Sequence, residues 1–377
     1  ASRHMGGLDV FTDSIHANLN NPAGYGFLKA TTYSIGINYT NTNLASLSES
    51  RNSDIASIDY IAVSIPAGKF SFGFGLLPFT SVGYRVEGND DTSELQIFNR
   101  YEGNGGVNTA FLTFGFKAFK KIRLGISANY EFGTLEHSNS RILEGIELYT
   151  KVESNSSLSG VNFVYSTLFR EKISNDLTFH ASYIFKPHSK LSSKNSQILY
   201  TIPGDGSFGG DSQEIDLTAL NLNETKITIP ASNSFGLGVG KETKWFVGFD
   251  YTKTNGGGFE NKLFNLKNVE YKEASKISLG GFFIPNYDSF TSYFSRIVYR
   301  VGMRIEKTGL HIQNQSINEY GINFGLGLPF QGFQNINFGF EVGKRGTTNA
   351  GLIKEKFFSV RLGLTLNDRW FVKNKYN

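Results

Sequence analysis

The sequence predicts an all-β fold: a transmembrane antiparallel β-barrel of about fourteen strands, with an N-terminal segment lodged inside it. Three observations carry that expectation. Apolar and polar residues alternate with period two along many segments, and those segments are long for strands. No stretch approaches the roughly 18 consecutive apolar residues of a spanning helix.

The alternation is clearest at 334–345, where Ile336, Phe338, Phe340 and Val342 fall on one face and Asn337, Gly339, Glu341 and Gly343 on the other. Phe358, Val360, Leu362 and Leu364 alternate in the same way with Ser359, Arg361, Gly363 and Thr365. A soluble sandwich also alternates, so length has to discriminate. Many segments run 11 to 13 residues, against about 5–6 for a soluble strand and about 9–11 for a tilted crossing of a bilayer. The polar face is rich in glycine and full charges, which suits a wet or plugged lumen better than a solvated sheet face.

Composition agrees. The 377 residues include Phe 34, Tyr 18, Trp 2, Gly 42 and Pro 8, with 39% hydrophobic residues. That hydrophobic content and a mean hydropathy of −0.24 fit neither a helical membrane protein nor a disordered one. With no cysteine there are no disulfides, thiolate metal sites or lipid-modified N-terminal cysteine. A net charge of +4, dispersed along the chain, gives no footprint for nucleic acid. No basic-then-apolar leader opens the chain, so the expectation is a mature or trimmed N-terminus; Ala1 to Met5 read equally as a cloning scar or as native sequence.

Taken in order, residues 1–30 do not alternate and form a compact polar segment, for which the barrel interior is the obvious place, since a fourteen-strand barrel leaks if left empty. Strands are then expected over 31–41, 55–66, 69–80, 107–118, 121–136, 157–169, 176–188, 231–241, 243–254, 272–283, 294–306, 315–328, 334–345 and 356–367. The barrel accordingly spans 31–367, and 368–377 is a C-terminal tail. Connections after even-numbered strands are short (67–68, 119–120, 170–175, 242, 284–293, 329–333). Those after odd-numbered strands are mostly long, from 42–54 and 81–106 to 189–230. That asymmetry predicts a bacterial outer-membrane barrel with periplasmic turns, outer loops and both termini in the periplasm. Tyr39, Tyr251, Tyr320, Phe330 and Trp370 fit interfacial girdles. The loop 189–230 has room for a short hairpin of its own.

Two short stretches carry a resemblance. Asn21, Pro22 and Ala23 precede the first strand, and Phe70-Ser-Phe-Gly-Phe-Gly-Leu-Leu-Pro78-Phe79-Thr-Ser-Val-Gly-Tyr84 forms the third. The chain resembles the FadL-like family of outer-membrane long-chain fatty acid transporters, whose hatch precedes the first strand and whose third strand kinks to open a hole in the wall. The resemblance implies uptake of hydrophobic small molecules by diffusion through a plugged barrel, with a lateral exit. Pro78 is then the candidate opening, because it has no N–H for the ladder, with Phe79 beside it and Gly73 and Gly75 reducing bulk on the lumen face. Alternatively, Pro78 only ends the strand before an outer loop. The C-terminal tail departs from the usual aromatic ending and looks like that of family members from the Bacteroidetes group, where relatives also serve as subunits of secretion machinery. A non-transporting subunit of an outer-membrane secretion or assembly complex is therefore the second reading. The expected partners are a hydrophobic ligand, lipid or lipopolysaccharide and, in the second reading, another protein.

Lumen charges are expected at Arg123, Glu131, Asp250, Arg300, Arg304, Glu341 and Arg361. Two roles are open to them: fixing the hatch by pairing with acids such as Asp9 and Asp13, which buried charges require, or holding a ligand carboxylate. No enzyme activity, metal or cofactor is expected. The six histidines show no metal spacing, and His180 and Ser182 share a strand face without a third catalytic group. Gly236 to Lys241 looks like a phosphate loop but lies within an alternating strand. Asp205, Asp211, Glu214 and Asp216 read as an acidic loop.

Overall fold

The computed structural model describes all residues except 91–96, 175, 204–209, 257–262, 264–267, 331–333, 369 and 371–377. The strands begin with β1 (Thr31–Ala45), β2 (Ser50–Ala67), β3 (Phe70–Asp90), β4 (Ile97–Phe116), β5 (Ile122–Leu143) and β6 (Leu148–Lys172). Next come β7 (Thr178–Lys186), β8 (Ser189–Pro203), β9 (Ser212–Glu214), β10 (Glu224–Ile229), β11 (Ser232–Lys241) and β12 (Trp245–Thr254). The last are β13 (Val269–Tyr271), β14 (Ala274–Phe283), β15 (Val298–Ile312), β16 (Gln315–Pro329), β17 (Asn335–Gly346) and β18 (Lys354–Asp368).

Fourteen of these close an antiparallel ring: β1 to β7, β11, β12 and β14 to β18, with β1 pairing β18 on one side and β2 on the other. The other four lengthen the wall. β8 continues β7 past Pro187 and pairs β6 and β10, while β10 runs in unchanged register into β11. Every strand expected from the alternation is present.

The connections differ from expectation. The expected loop 42–54 shrinks to 46–49, 137–156 to 144–147, and 189–230 holds three strands rather than a short hairpin. The longest described connection on the opposite, turn-side end is 284–297, which carries the helix α1 (Tyr293–Arg296). Connection length therefore does not separate the two ends; strand length does. β3, β4, β5 and β6 have 21, 20, 22 and 25 residues, roughly twice the about 9–11 needed to cross a bilayer, and project beyond it at the loop end.

The barrel is inside-out relative to a soluble protein. Ile35, Ile37, Tyr39, Phe72, Phe74, Ile322, Phe324 and Val342 are exposed on the outer face, whereas Thr113, Glu131, Asp250, Asn323, Asn337 and Glu341 are buried within. The aromatics Tyr39, Tyr251, Tyr320, Phe330 and Trp370 are all exposed; Trp370 packs edge-on against Tyr33, 6.0 Å away.

Residues 1–30 run through the lumen with two 3₁₀ turns, Ser2–Met5 and Pro22–Phe27. Met5, Leu8 and Val10 are fully buried and join Phe246, Phe282 and Ile284 in one apolar cluster. Each such side chain contributes about 1.5–3 kcal/mol of burial free energy. The expected C-terminal tail lies outside the described residues except for Asp368 and Trp370.

Candidate functional site

The wall is not uniformly paired. β2 and β3 are in register from Ala67–Phe70 to Ile61–Leu76, and there the ladder stops. Beyond it Ser50 to Tyr60 pair only with β1, and Leu77 to Asp90 only with β4. At that level each strand carries an extra residue. The β1–β2 register shifts between Gly36 and Ile37, leaving Asp59 unpaired, and the β3–β4 register shifts between Pro78 and Thr80, leaving Phe79 unpaired. Bulges bend and twist a strand, and Pro78 offers no N–H to bridge the gap. β3 does not end at Pro78; it continues through the bulge to Asp90. The result is an open seam whose paired base is shorter than a bilayer crossing.

Gly73 and Gly75 lie in the paired base below the seam. A side chain at Gly73 would collide with the ring of Tyr25, so this glycine seats the N-terminal segment against the wall. Gly75 is held close to the Ile61 backbone and Phe111. Leu77 reaches a small cavity of about 70 Å³ shared by the N-terminal segment, β1, β2 and β18.

Asn21, Pro22 and Ala23 lie against β5 and β6. Asn21 donates from Nδ2 to the Asp9 carbonyl at 2.9 Å, and Ala23 N–H donates to Ser166 Oγ at 2.7 Å. The Pro22–Ala23 backbone touches Gly125, where any side chain would displace it. Asn18 and Asn20 add bonds to Asp9 and Phe11, tying the segment to itself.

Of the lumen charges, Arg123 donates to Gly26 O at 3.2 Å and stacks 4.5 Å from the Phe27 ring, so it holds the second 3₁₀ turn. Asp250 accepts the N–H groups of Asp9 and Val10. Glu131 accepts from Thr109 and Asn162. Glu341 lies between Arg304, at 2.8 Å, and Arg361, at 2.5 Å. Arg304 also pairs with Glu319, and Arg361 lies 3.9 Å from Asp59. Asp59, the bulged residue of the seam, is 2.9 Å from Arg3 of the N-terminal segment. Arg300 differs from the rest: among the described residues its hydrogen bond runs to a neutral group, the Asn337 amide oxygen, at 2.8 Å.

Sequence reasoning missed Asp59, which gave no signal as a bulge, and Asn18, which reads as an ordinary polar residue. His180 and Ser182 are both buried, and the His180 ring packs edge-on against Phe246 at 5.3 Å. Asp205 lies outside the described residues. Among the described residues no three His, Asp or Glu side chains gather as a metal site.

Asp13 organises the middle of the segment. Its Oδ1 accepts the N–H groups of Ile15 and His16 at 2.9 and 2.6 Å, and Oδ2 lies 2.6 Å from His16 Nδ1. Burial pushes this carboxyl up, but the His16 charge and these hydrogen bonds outweigh it and bring its pKa down to about 2. A depressed carboxylate stabilises fully above its unfolded value, near 3.8, and the contribution fades as pH falls from there to about 2. Amide-exchange protection of residues 13–16 is therefore expected to hold from pH 7 to about 4 and to decline below. In Asp13→Ala it should be low throughout.

The pattern defines a class: a fourteen-strand antiparallel membrane β-barrel, here with its own N-terminal segment running through the lumen. Solved structures share the barrel fold. The Ralstonia pickettii toluene transporter TbuX aligns over 97% of each chain at 13% identity and a TM-score of 0.64. The Pseudomonas putida toluene transporter TodX aligns over 99% of this chain and 98% of its own, at 16% identity and 0.58. A Pseudomonas aeruginosa FadL homologue covers 97% and 96% at 11% identity and 0.60. The resemblance to the FadL-like family thus holds for the fold. The chain belongs to the BamG family, whose sequence profile matches residues 1–377. No curated protein matches the sequence.

Proposed function

We propose that this chain is an outer-membrane channel for hydrophobic small molecules, long-chain fatty acids or compounds of similar character, with the seam beside Pro78 and Phe79 as its sideways exit. The observation that carries the reading is the end of the β2–β3 ladder at Ile61–Leu76. An apolar molecule is poorly served by a water-filled pore, since each exposed CH₂ costs about 0.8 kcal/mol in water. A gap in the wall at membrane depth releases it into the bilayer instead. Residues 1–30 act as the hatch, both termini lie in the periplasm, and the long strands project outside the cell. The 70 Å³ cavity behind Leu77 is too small for a fatty acid, so the hatch shifts during passage, and the Arg3–Asp59 contact links that shift to the seam.

The test is uptake of a fluorescent fatty acid into vesicles containing the protein. Deleting Phe79 and replacing Pro78 with Thr removes the bulge and restores an N–H; uptake is expected to fall at least ten-fold. Uptake unchanged in a variant that folds as a barrel would contradict the exit.

The same seam favours a second reading, a barrel subunit of an outer-membrane secretion or assembly complex. Unpaired strand edges are templates for a partner's strand, and the outer lumen supports it too. Val107, Leu158, Leu191 and Ile227 pack there into a buried apolar cluster that ties β4, β6, β8 and β10 together.

A further inference from the structure

On the outer wall, β15, β17 and β18 each carry an apolar band that ends in a lysine. On β18, Leu366, Leu364, Leu362, Val360 and Phe358 face out, and the next outward residue is Lys356. On β17, Ile336, Phe338, Phe340 and Val342 lead to Lys344; on β15, Tyr299, Val301, Met303 and Ile305 lead to Lys307. The stretch from Leu366 to Phe358 matches a tilted bilayer crossing of about 9–11 residues. All three lysines are exposed, at the loop-side edge of the membrane.

Lys344 and Lys356 stand directly opposite each other across the β17–β18 ladder, an arrangement that costs stability unless something neutralises it. Among the described residues no carboxylate lies within 4.0 Å of either, or of Lys307. The inward face at the same level is neutralised: Arg345 meets Glu355 at 2.6 Å and Glu319 at 3.7 Å. On β12 the outward Lys253 has Glu273 at 3.0 Å. Towards β2 the patch ends at Asn41, which donates to Asp54. Beneath the lysine pair lies a groove of about 630 Å³ lined by Met303, Ile305, Tyr320, Ile322, Val342 and Phe358, with Lys344 and Lys356 on its rim. Lys344 Nζ is 5.2 Å from the centre of the Tyr320 ring, which keeps the ammonium at the edge of the groove.

We propose that this groove seats one phosphorylated glycolipid of the lipopolysaccharide type, acyl chains in the groove and phosphates on Lys344 and Lys356, with Lys307 within reach. Apolar wall at membrane depth is covered by acyl chains, and adjacent cations at its edge select an anionic head. β15 and β18 lie three inter-strand steps apart, about 14 Å, wider than a single phosphodiester and suited to a disaccharide with a phosphate at each end. A two-fold contact with a second copy of this chain would bring the lysines against one another. The placement rests on the orientation proposed above, projecting strands outward, and not on release of a substrate at the seam.

The experiment uses the full chain in phosphatidylcholine nanodiscs doped with bisphosphorylated lipid A, dephosphorylated lipid A or phosphatidylglycerol, and counts retained lipid by native mass spectrometry. Retention of bisphosphorylated lipid A is expected to exceed that of both others, and Lys344→Gln/Lys356→Gln should reduce it about ten-fold. Lys344→Arg/Lys356→Arg should keep it, and Lys253→Gln should leave it unchanged. Both positions are exposed, so these variants should fold. Equal retention of dephosphorylated lipid A or of phosphatidylglycerol, or a glutamine variant that retains lipid A as the parent does, overturns the inference. Uptake is not read here, so failure of this site and failure of the channel are separate results.

Discussion

Replacing Glu341 with alanine is expected to destabilise the barrel by about 3–5 kcal/mol, the cost of breaking a buried ion pair by removing one partner. Glu341, on β17, is 1% exposed and holds Arg304 of β15, two strands away, and Arg361 of the adjacent β18. Arg304 keeps Glu319 when Glu341 is lost, but Arg361 keeps only Asp59 at 3.9 Å. The orphaned charge is therefore chiefly Arg361. Urea unfolding in detergent micelles should show the midpoint fall. The double variant Glu341→Ala/Arg361→Ala should recover part of the loss, because it removes the stranded charge. A double variant as unstable as the sum of the two single ones would contradict the pairing.

Replacing Asp250 with alanine is expected to loosen the N-terminal segment while leaving the wall intact. Its carboxylate accepts both the Asp9 and Val10 N–H groups inside the lumen, and each buried donor left unsatisfied costs about 1–3 kcal/mol. The loss is local, so it should register as faster amide exchange at residues 8–11 and as a rise in ion conductance over the parent barrel. Asp250→Asn keeps an acceptor oxygen and should be milder on both measures. Exchange as slow as in the parent would show that the apolar cluster of Met5, Leu8 and Val10 suffices to seat the segment.

The membrane-spanning strands were legible in the sequence because lipid on one side and lumen on the other impose period two on every residue between. The outer strand halves were not. In 97–106, Ile-Phe-Asn-Arg-Tyr-Glu-Gly-Asn-Gly-Gly, no face meets lipid, so the alternation fades although the ladder continues to Ile97. Pro78 marked one side of the seam, since proline in a strand has few places to be. Asp59 did not mark the other side, because a bulge at Asp59 leaves no trace in residue type. The lumen charges were visible as charges, but their partners depend on which strands neighbour them. Arg300 pairs in register with Gly325 and Phe282, neither able to neutralise it, and only the assembled barrel reveals that. The packing of Phe11 against Phe246 and Phe282 was equally hidden, since it joins residues more than two hundred positions apart.

The central claim, a plugged barrel that releases apolar molecules through the β2–β3 seam, is tested most directly by native mass spectrometry of the protein extracted gently from its own membranes. The account predicts a lone chain of 41.8 kDa carrying fatty-acid-sized masses, with occupancy altered when Phe79 is deleted and Pro78 is replaced by Thr. An empty barrel bound stoichiometrically to another protein would contradict it, and would make the open edges of β2 and β3 the place to look for that partner.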